Sequence, residues 1–333
     1  MDWIESLCLG VVQGLTEFLP ISSDGHLAIT SLAFEAATGR AASAADKLFF
    51  NVMLHVGTLL AIVAHYRQQA IAGAKGLLGS NDVAEPYRRG AVIRVGLLAV
   101  LATTPLIPDK LFFMDYIEKA MNSLTWTGVG FLITAAILLL TMRLKGGEKG
   151  PREMTWLDAL LVGVAQMFAP LPGVSRSGLT ISAALALGFS RTWAVNFSLM
   201  MAVPAILGAT ASELKDADWK ALSGDRVAQI VASAAVAGVI GYLAIVWLVR
   251  IVRSGKLWYF SVYLVVLGLA MIALDAGRKG TTDARPSNAP DRPAWREPAG
   301  PGDRPGPARL VDALAGPLAP GPRPGRPGPG QAL

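Results

Sequence analysis

Thiols and charges are scarce in this chain of 333 residues, and each scarcity excludes something. A lone cysteine, Cys8, rules out an intrachain disulfide and argues against a cysteine-based metal site. Charged residues make up 16% of the chain, where a soluble globular domain carries about 25%. With 53% hydrophobic residues and a mean hydropathy of +0.45, the chain reads as an all-α polytopic membrane protein. The opening Met1, Asp2, Trp3, Ile4, Glu5 lacks the basic n-region of a cleaved signal peptide, so the first apolar segment is expected to stay in the mature protein. Asp2, Trp3 and Glu5 read as interfacial anchors. The formal charge of +6 does not point to nucleic acid, because Lys and Arg concentrate in loops and tail, as membrane topology demands.

Long apolar runs are what the chain does have. Crossing the hydrocarbon core takes roughly 20 helical residues. Runs of that kind lie near 49–66, 91–108, 120–142, 193–212, 227–249 and 258–275, which gives six transmembrane helices. Two further apolar regions, about 3–34 and 156–190, are broken by Pro20 and by Pro170 and Pro172. Non-helical backbone at membrane depth survives only when packed in protein or lining an aqueous cavity, so both are expected to be re-entrant helical hairpins rather than kinked spans.

Basic residues set the orientation. Arg67, Lys75, Arg88 and Arg89 follow the first span, Arg143, Lys145, Lys149 and Arg152 the third, and Arg250, Arg253 and Lys256 the fifth, so these loops are expected in the cytoplasm. The loops Asp109 to Lys119 and Glu213 to Arg226 mix both signs and are expected outside. The first hairpin then enters from outside and the second from the cytoplasm, an inverted arrangement. A sequence echo agrees: Gly10 to Gln13 recurs as Gly163 to Gln166, and at the same offset Ser22 falls on Ser175 and Gly25 on Gly178. The expected inverted repeats run over about 1–142 and 156–275, with the site at their interface. Residues 276–333, rich in Pro, Gly and Arg, cannot build a core and are expected to be a disordered tail.

Ionisable groups inside a membrane are costly and therefore candidates for function. Gln13 and Glu17, four apart, share one helix face. Pro20 stops that helix, and Ser22, Ser23, Asp24 and Gly25 read as a turn that brings hydroxyls, a carboxylate and His26 together. In the second motif Ser175, Arg176, Ser177 and Gly178 precede an apolar helix, and a helix start with hydroxyls and a guanidinium suits phosphate. Glu17 beside such a site would repel phosphate unless a cation intervened. A divalent cation, Mg²⁺ or Ca²⁺, is therefore expected on Glu17, Gln13 and Asp24. His26 is read as a general acid or base, and Ser22 or Ser23 as an attacking hydroxyl that gives it a proton. His55 and His65 lack such company and read as structural or near-interface residues. Leu15, Phe18, Leu19, Phe168 and Leu179 read as walls for a lipid chain, or equally as plain core.

At these residues the chain resembles the bacterial undecaprenyl-diphosphate phosphatase family, also known as bacitracin-resistance proteins. That family carries a Glu/Gln-x-x-x-Glu helix, then Pro-x-Ser-Ser-x-Gly-His, and later Pro-Gly-x-Ser-Arg-Ser-Gly. Here these are Gln13 to Glu17, Pro20 to His26 and Pro172 to Gly178. The likeness extends to Phe50 to Ala61, Ser190 to Thr192, Phe197 with Ser198, and Ala202 to Pro204, covering most of residues 1–275 as one integral membrane phosphatase domain. It implies hydrolysis of undecaprenyl diphosphate to the monophosphate and inorganic phosphate, recycling the lipid carrier for cell-wall synthesis. It implies a multi-pass protein of the bacterial cytoplasmic membrane whose site faces the periplasm, among membrane lipids, with a homodimer left open.

By position, the resemblance makes Glu17, His26 and Arg176 the essential trio and Ser23 the nucleophile. Ser22, Ser175, Ser177 and Thr180 become phosphate contacts, with Gly25 and Gly178 in the binding turns. Gln13 stands where many relatives have Glu, a departure that bears on direct metal binding there, and Asp24 stands where Thr is usual, a change that either adds metal ligation or only caps the turn. The competing expectation is a lipid-phosphate transporter or flippase, because inverted repeats with broken helices are transporter hardware.

Overall fold

The computed structural model describes residues 2–39, 44–80, 82–108, 117, 120, 123–216 and 223–283. Residues 276–283 of the expected disordered tail are instead the helical end of the last helix, Tyr259–Asp283; the rest of the tail and most of the two mixed-charge loops lie outside the described residues, and the tail's expected disorder with them. In chain order the helices are α1 (Trp3–Thr16), α2 (Ser23–Thr38), α3 (Ala44–His65), α4 (Arg67–Leu77), α5 (Arg89–Thr103), α6 (Leu124–Leu140), α7 (Trp156–Gln166), α8 (Arg176–Ala186), α9 (Arg191–Asp216), α10 (Gly224–Arg253) and α11 (Tyr259–Asp283). Among the described residues the only extended pairing is an isolated bridge between Lys149 and Phe189.

Five helical segments are long and apolar enough to cross a membrane: Arg89–Pro108, Leu124–Arg143, Arg191–Ser212, Gly224–Arg253 and Tyr259–Arg278. The sixth expected span is different. Phe49–His65 and Arg67–Leu77 are two helices bent by 76°, so the apolar run ends at Tyr66 and the polar α4 turns away. Residues Met1–Thr281 gather into one unit.

Both interrupted regions are helical hairpins. α1 packs on α2, and α7 on α8. Each helix start has a local cause. Asp2 caps α1 by accepting from the Glu5 amide at 2.8 Å, and Thr155 with Asp158 forms a reciprocal capping box that opens α7. Ser22 and Ser175 cap α2 and α8, accepting from the amides of Gly25 and Gly178 respectively. The sequence echo at those four positions is thus one capping arrangement used twice.

Contacts in one half have counterparts in the other. The first hairpin packs through α1 on α10, and the second through α7 on α5, while α3 and α9 pack on each other. At the first crossing a Cβ on Gly10 would stand 2.6 Å from the Ser233 carbonyl oxygen; at the second, one on Gly163 would stand 2.4 Å from that of Ala102. Any side chain there would force the helices apart. This is how membrane helices gain packing where lipid supplies no hydrophobic drive between them.

The basic loops meet at one end. Arg152 pairs with Glu85, and Arg94 donates to the backbone carbonyls of Pro151, Arg152 and Met154, fastening α5 to the entry of α7. Arg191 lies against both Gly146 and Gly255, which ties the loop after α6 to the loop after α10. Phe131, Leu138, Met154, Phe189, Phe197, Ile245 and Leu248 form the interior, while Leu97, Val100, Leu140, Val239, Leu243 and Val266 point outward as a lipid-facing surface requires.

Candidate functional site

Glu17 is the residue on which the first motif converges. It sits at the C-terminal end of α1 and is buried. Its Oε2 accepts from Gln13 Nε2 at 3.0 Å and from the Ser23 hydroxyl at 2.9 Å, and its Oε1 accepts from Arg176 Nη2 at 2.6 Å. Three donors on one buried carboxylate offset the cost of taking it out of water. The turn between Glu17 and Ser23 holds backbone strain: Ser22 has φ of 68°, the single non-glycine residue with positive φ among those described. Such strain costs about 1–3 kcal/mol and persists where surrounding contacts enforce it.

The second motif is seated on α6. Gly173 takes φ of 81°, and a Cβ there would stand 2.1 Å from the Thr127 carbonyl oxygen, so the turn lies flat against the helix. Thr134 holds the turn from both sides, donating to the Gly173 carbonyl at 3.2 Å and accepting from the Ser175 amide at 3.1 Å. Ser177 donates to the Leu19 carbonyl at 3.1 Å, directly joining the two motifs. Arg176, first residue of α8, thereby reaches Glu17, and its Nη1 remains buried with no hydrogen-bond partner. Thr180 bonds the Arg176 carbonyl at 2.9 Å and the Ser198 hydroxyl at 2.7 Å, one helix behind the motif.

His26 has different company from that expected. Its Nδ1 lies 2.7 Å from the Ser22 carbonyl, so this nitrogen carries the proton and donates. Its Nε2 lies 2.7 Å from the Tyr263 hydroxyl, and the two rings stack at 5.7 Å. Neither serine hydroxyl bonds the imidazole: the proton acceptor on Ser23 is Glu17, and Ser22 uses its Oγ as a cap.

His55, expected to lack the company of the motif and read as structural or near-interface, in fact points Nε2 at Glu17 Oε2 across 3.4 Å, while its Nδ1 bonds the Asn51 carbonyl at 2.8 Å. Its company comes from α1 rather than from its own segment, so spacing within the segment could not show it. His65 packs against Tyr66 and Tyr242, in keeping with a structural role. Thr134 and Tyr263 also escaped the sequence reading. Thr134 shares its helix with Thr125 and Thr127, and Tyr263 its own with Tyr259 and Ser261, so residue type singled out neither.

Asp24, in the first turn of α2, lies within electrostatic reach of Glu17, His55 and Arg176. Gly25 leaves room for Phe131, whose ring would stand 2.6 Å from a Cβ there, and Gly178 supplies the amide that Ser175 caps. Of the supposed lipid walls, Phe18 and Leu19 belong to the core and Leu179 is buried, whereas Leu15 and Phe168 are exposed on the hairpins. A groove of about 500 Å³ beside α5, lined by Ile93, Arg94, Leu97 and Trp156, includes none of the motif residues.

Donor chemistry can be tested against the expected cation. Among the described residues no three of His, Cys, Asp and Glu gather as a metal cage. Gln13, however, is fully buried with Oε1 lacking any partner, beside the Glu17 carboxylate and the Ser23 hydroxyl. An orphaned acceptor next to a carboxylate fits a hard cation that takes one or two carboxylates and completes its shell with water and phosphate.

Comparison with known proteins agrees with the motifs. The sequence profile of the family described as bacitracin resistance protein BacA matches residues 6–270. A protein of Carboxydothermus hydrogenoformans named undecaprenyl-diphosphatase is 37% identical over 281 residues, covering 84% of this chain and 100% of its own. Proteins of the same name from Corynebacterium glutamicum and Mycolicibacterium smegmatis are each 34% identical, covering 82% of this chain and 91% and 97% of theirs.

Proposed function

The chain belongs to the bacitracin resistance protein BacA family, and we propose that it hydrolyses undecaprenyl diphosphate to undecaprenyl phosphate and inorganic phosphate at the junction of its two hairpins. The observation that carries this reading is the Arg176 to Glu17 contact, which brings a guanidinium and a serine-bound carboxylate from distant segments to one point. The transporter reading is less favoured. Binding alone needs no hydroxyl hydrogen-bonded to a buried carboxylate, and the relatives named above are diphosphatases.

The steps follow from the atoms. Arg176 Nη1, buried and unpartnered, takes an oxygen of the diphosphate, placing the terminal phosphorus near the first turn of α2. Ser23 Oγ attacks that phosphorus as its proton moves to Glu17 Oε2. The bond from phosphorus to the bridging oxygen breaks, its electron pair leaves with undecaprenyl phosphate, and Arg176 offsets the charge that develops. Water then attacks the phosphoserine, releasing inorganic phosphate and returning the proton to Ser23. His26 braces the strained Ser22 turn through its Nδ1 bond, with Tyr263 fixing the far side of the ring.

Glu17, the Gln13 amide oxygen, Ser23 and Asp24 are the residues that would hold Mg²⁺ or Ca²⁺. Such a cation would neutralise phosphate charge beside the carboxylate. The proposed location is the bacterial cytoplasmic membrane, with the basic loops inside and the hairpin junction open to the periplasm, and the exposed Leu15 and Phe168 meet the lipid chain there. The test is phosphate release from undecaprenyl diphosphate by the purified chain in detergent. Release abolished by Glu17→Ala or Arg176→Ala, with folded protein recovered, supports the reading; undiminished release from either variant ends it.

A further inference from the structure

We infer that His55 supplies an imidazole nitrogen to the divalent cation, making the site a mixed nitrogen and oxygen one that takes Mn²⁺ in preference to Ca²⁺. This rests on the reading above that the site binds a divalent cation. Three observations converge on it.

The first is the tautomer. A carbonyl oxygen only accepts, so the 2.8 Å contact from Nδ1 to the Asn51 carbonyl puts a ring proton on Nδ1, and in the neutral ring Nε2 is then the nitrogen that carries the lone pair. Metal-binding histidines are oriented in this way, the far nitrogen donating to a carbonyl or carboxylate.

The second is the distance. The Nε2 lone pair faces a carboxylate oxygen of Glu17, itself an acceptor, across 3.4 Å. Two donors each about 2.1 Å from one ion, at angles between square and tetrahedral, stand roughly 3.0 to 3.4 Å apart. With the ring neutral these are two facing acceptors, which repel unless a cation lies between them; with the ring protonated the contact is a direct ion pair, and the experiment below separates the two.

The third is Gln13. Its amide is fully buried, with Nε2 on the same Glu17 oxygen and Oε1 unpartnered. Turning the amide over would place a carbonyl oxygen where Nε2 now stands, 3.0 Å from Glu17 Oε2, and give the ion a third donor. The charged groups around this point are Arg176, which engages the other Glu17 oxygen, and Asp24. Ca²⁺ favours oxygen-only shells, whereas imidazole suits first-row transition ions, and so His55 sets the preference.

The experiment uses the full chain in detergent with Mn²⁺ as probe. Pulsed electron-spin-echo spectra of the wild type are expected to show imidazole-nitrogen modulation. That modulation is lost in His55→Gln and kept in His65→Gln, and the Mn²⁺ Kd rises on the order of tenfold or more in His55→Gln. Should His55→Gln fail to fold, wild-type protein grown with heavy-isotope histidine must shift the modulation. Mn²⁺ bound without nitrogen modulation, or modulation that persists in folded His55→Gln, overturns the role of His55 and leaves the cation in place. No Mn²⁺ binding in the wild type overturns the cation reading and this inference together.

Discussion

Arg176 Nη2 donates to Glu17 Oε1 at 2.6 Å across 159 positions of sequence, and both side chains are largely withdrawn from solvent. Each offsets part of the cost of burying the other in a membrane interior. The pair joins the two hairpins and leaves one guanidinium nitrogen and one amide oxygen unpartnered around it.

Ser23→Ala removes the proposed nucleophile while leaving Glu17 bound to Gln13 and Arg176. Phosphate release is expected to fall by at least about a hundredfold. Acid quenching of wild-type turnover with phosphate-labelled substrate should trap label on a peptide containing Ser23. Complete loss in the variant with no label ever trapped would make water the attacking group.

Thr134→Val keeps the shape of a residue that bonds both sides of the second motif and deletes its hydroxyl. The Ser175 amide and Gly173 carbonyl lose a partner in a buried setting, at a cost of about 1–3 kcal/mol. Because the loosened turn carries Arg176, kcat should drop and KM rise, whereas a purely structural loss would lower only the folded fraction. Thermal unfolding and steady-state kinetics on the same preparation separate the two.

Gly173→Ala and Gly188→Ala form a matched comparison. Both glycines have φ above 80°, so alanine is strained at each by roughly 1–2 kcal/mol. A Cβ at position 188 meets nothing within 4 Å, whereas one at 173 meets the Thr127 carbonyl at 2.1 Å. Gly188→Ala is expected to lower Tm by a few degrees and retain activity, while Gly173→Ala should be inactive.

Truncation after Asp283 removes everything beyond α11. The family match ends at residue 270, so the shortened protein is expected to keep its turnover, measured as phosphate release per folded molecule. Folded but inactive truncated protein would assign the tail a part in catalysis.

Much of this was legible in the sequence because membrane physics leaves few options. Prolines at 20, 170 and 172 stand beside polar motifs inside apolar runs, and both breaks are there, whereas Pro204, with no such motif beside it, lies inside the continuous α9. The Gly10 and Gly163 echo proved to be two close helix crossings, and the Ser22 and Ser175 echo two caps. What stayed hidden depends on a second segment arriving. Asn51 and His55 are one turn apart on α3, a spacing that says nothing about Glu17, and Tyr263 is one of three aromatics near the start of α11. The bend at Tyr66 was hidden for another reason: the apolar run ended there, and the polar α4 beyond it looked like loop.

The central claim is that Glu17 and Arg176 act as one unit on the diphosphate, and a double-mutant cycle on phosphate release measures it directly. Glu17→Gln and Arg176→Lys should each lower turnover by about two to three orders of magnitude, as loss of a transition-state electrostatic contact does. The double variant should be little worse than either single one, since residues that function together lose their effect together. Losses that multiply, giving the double variant the product of the two single defects, would mean that the residues act independently and would contradict a shared site.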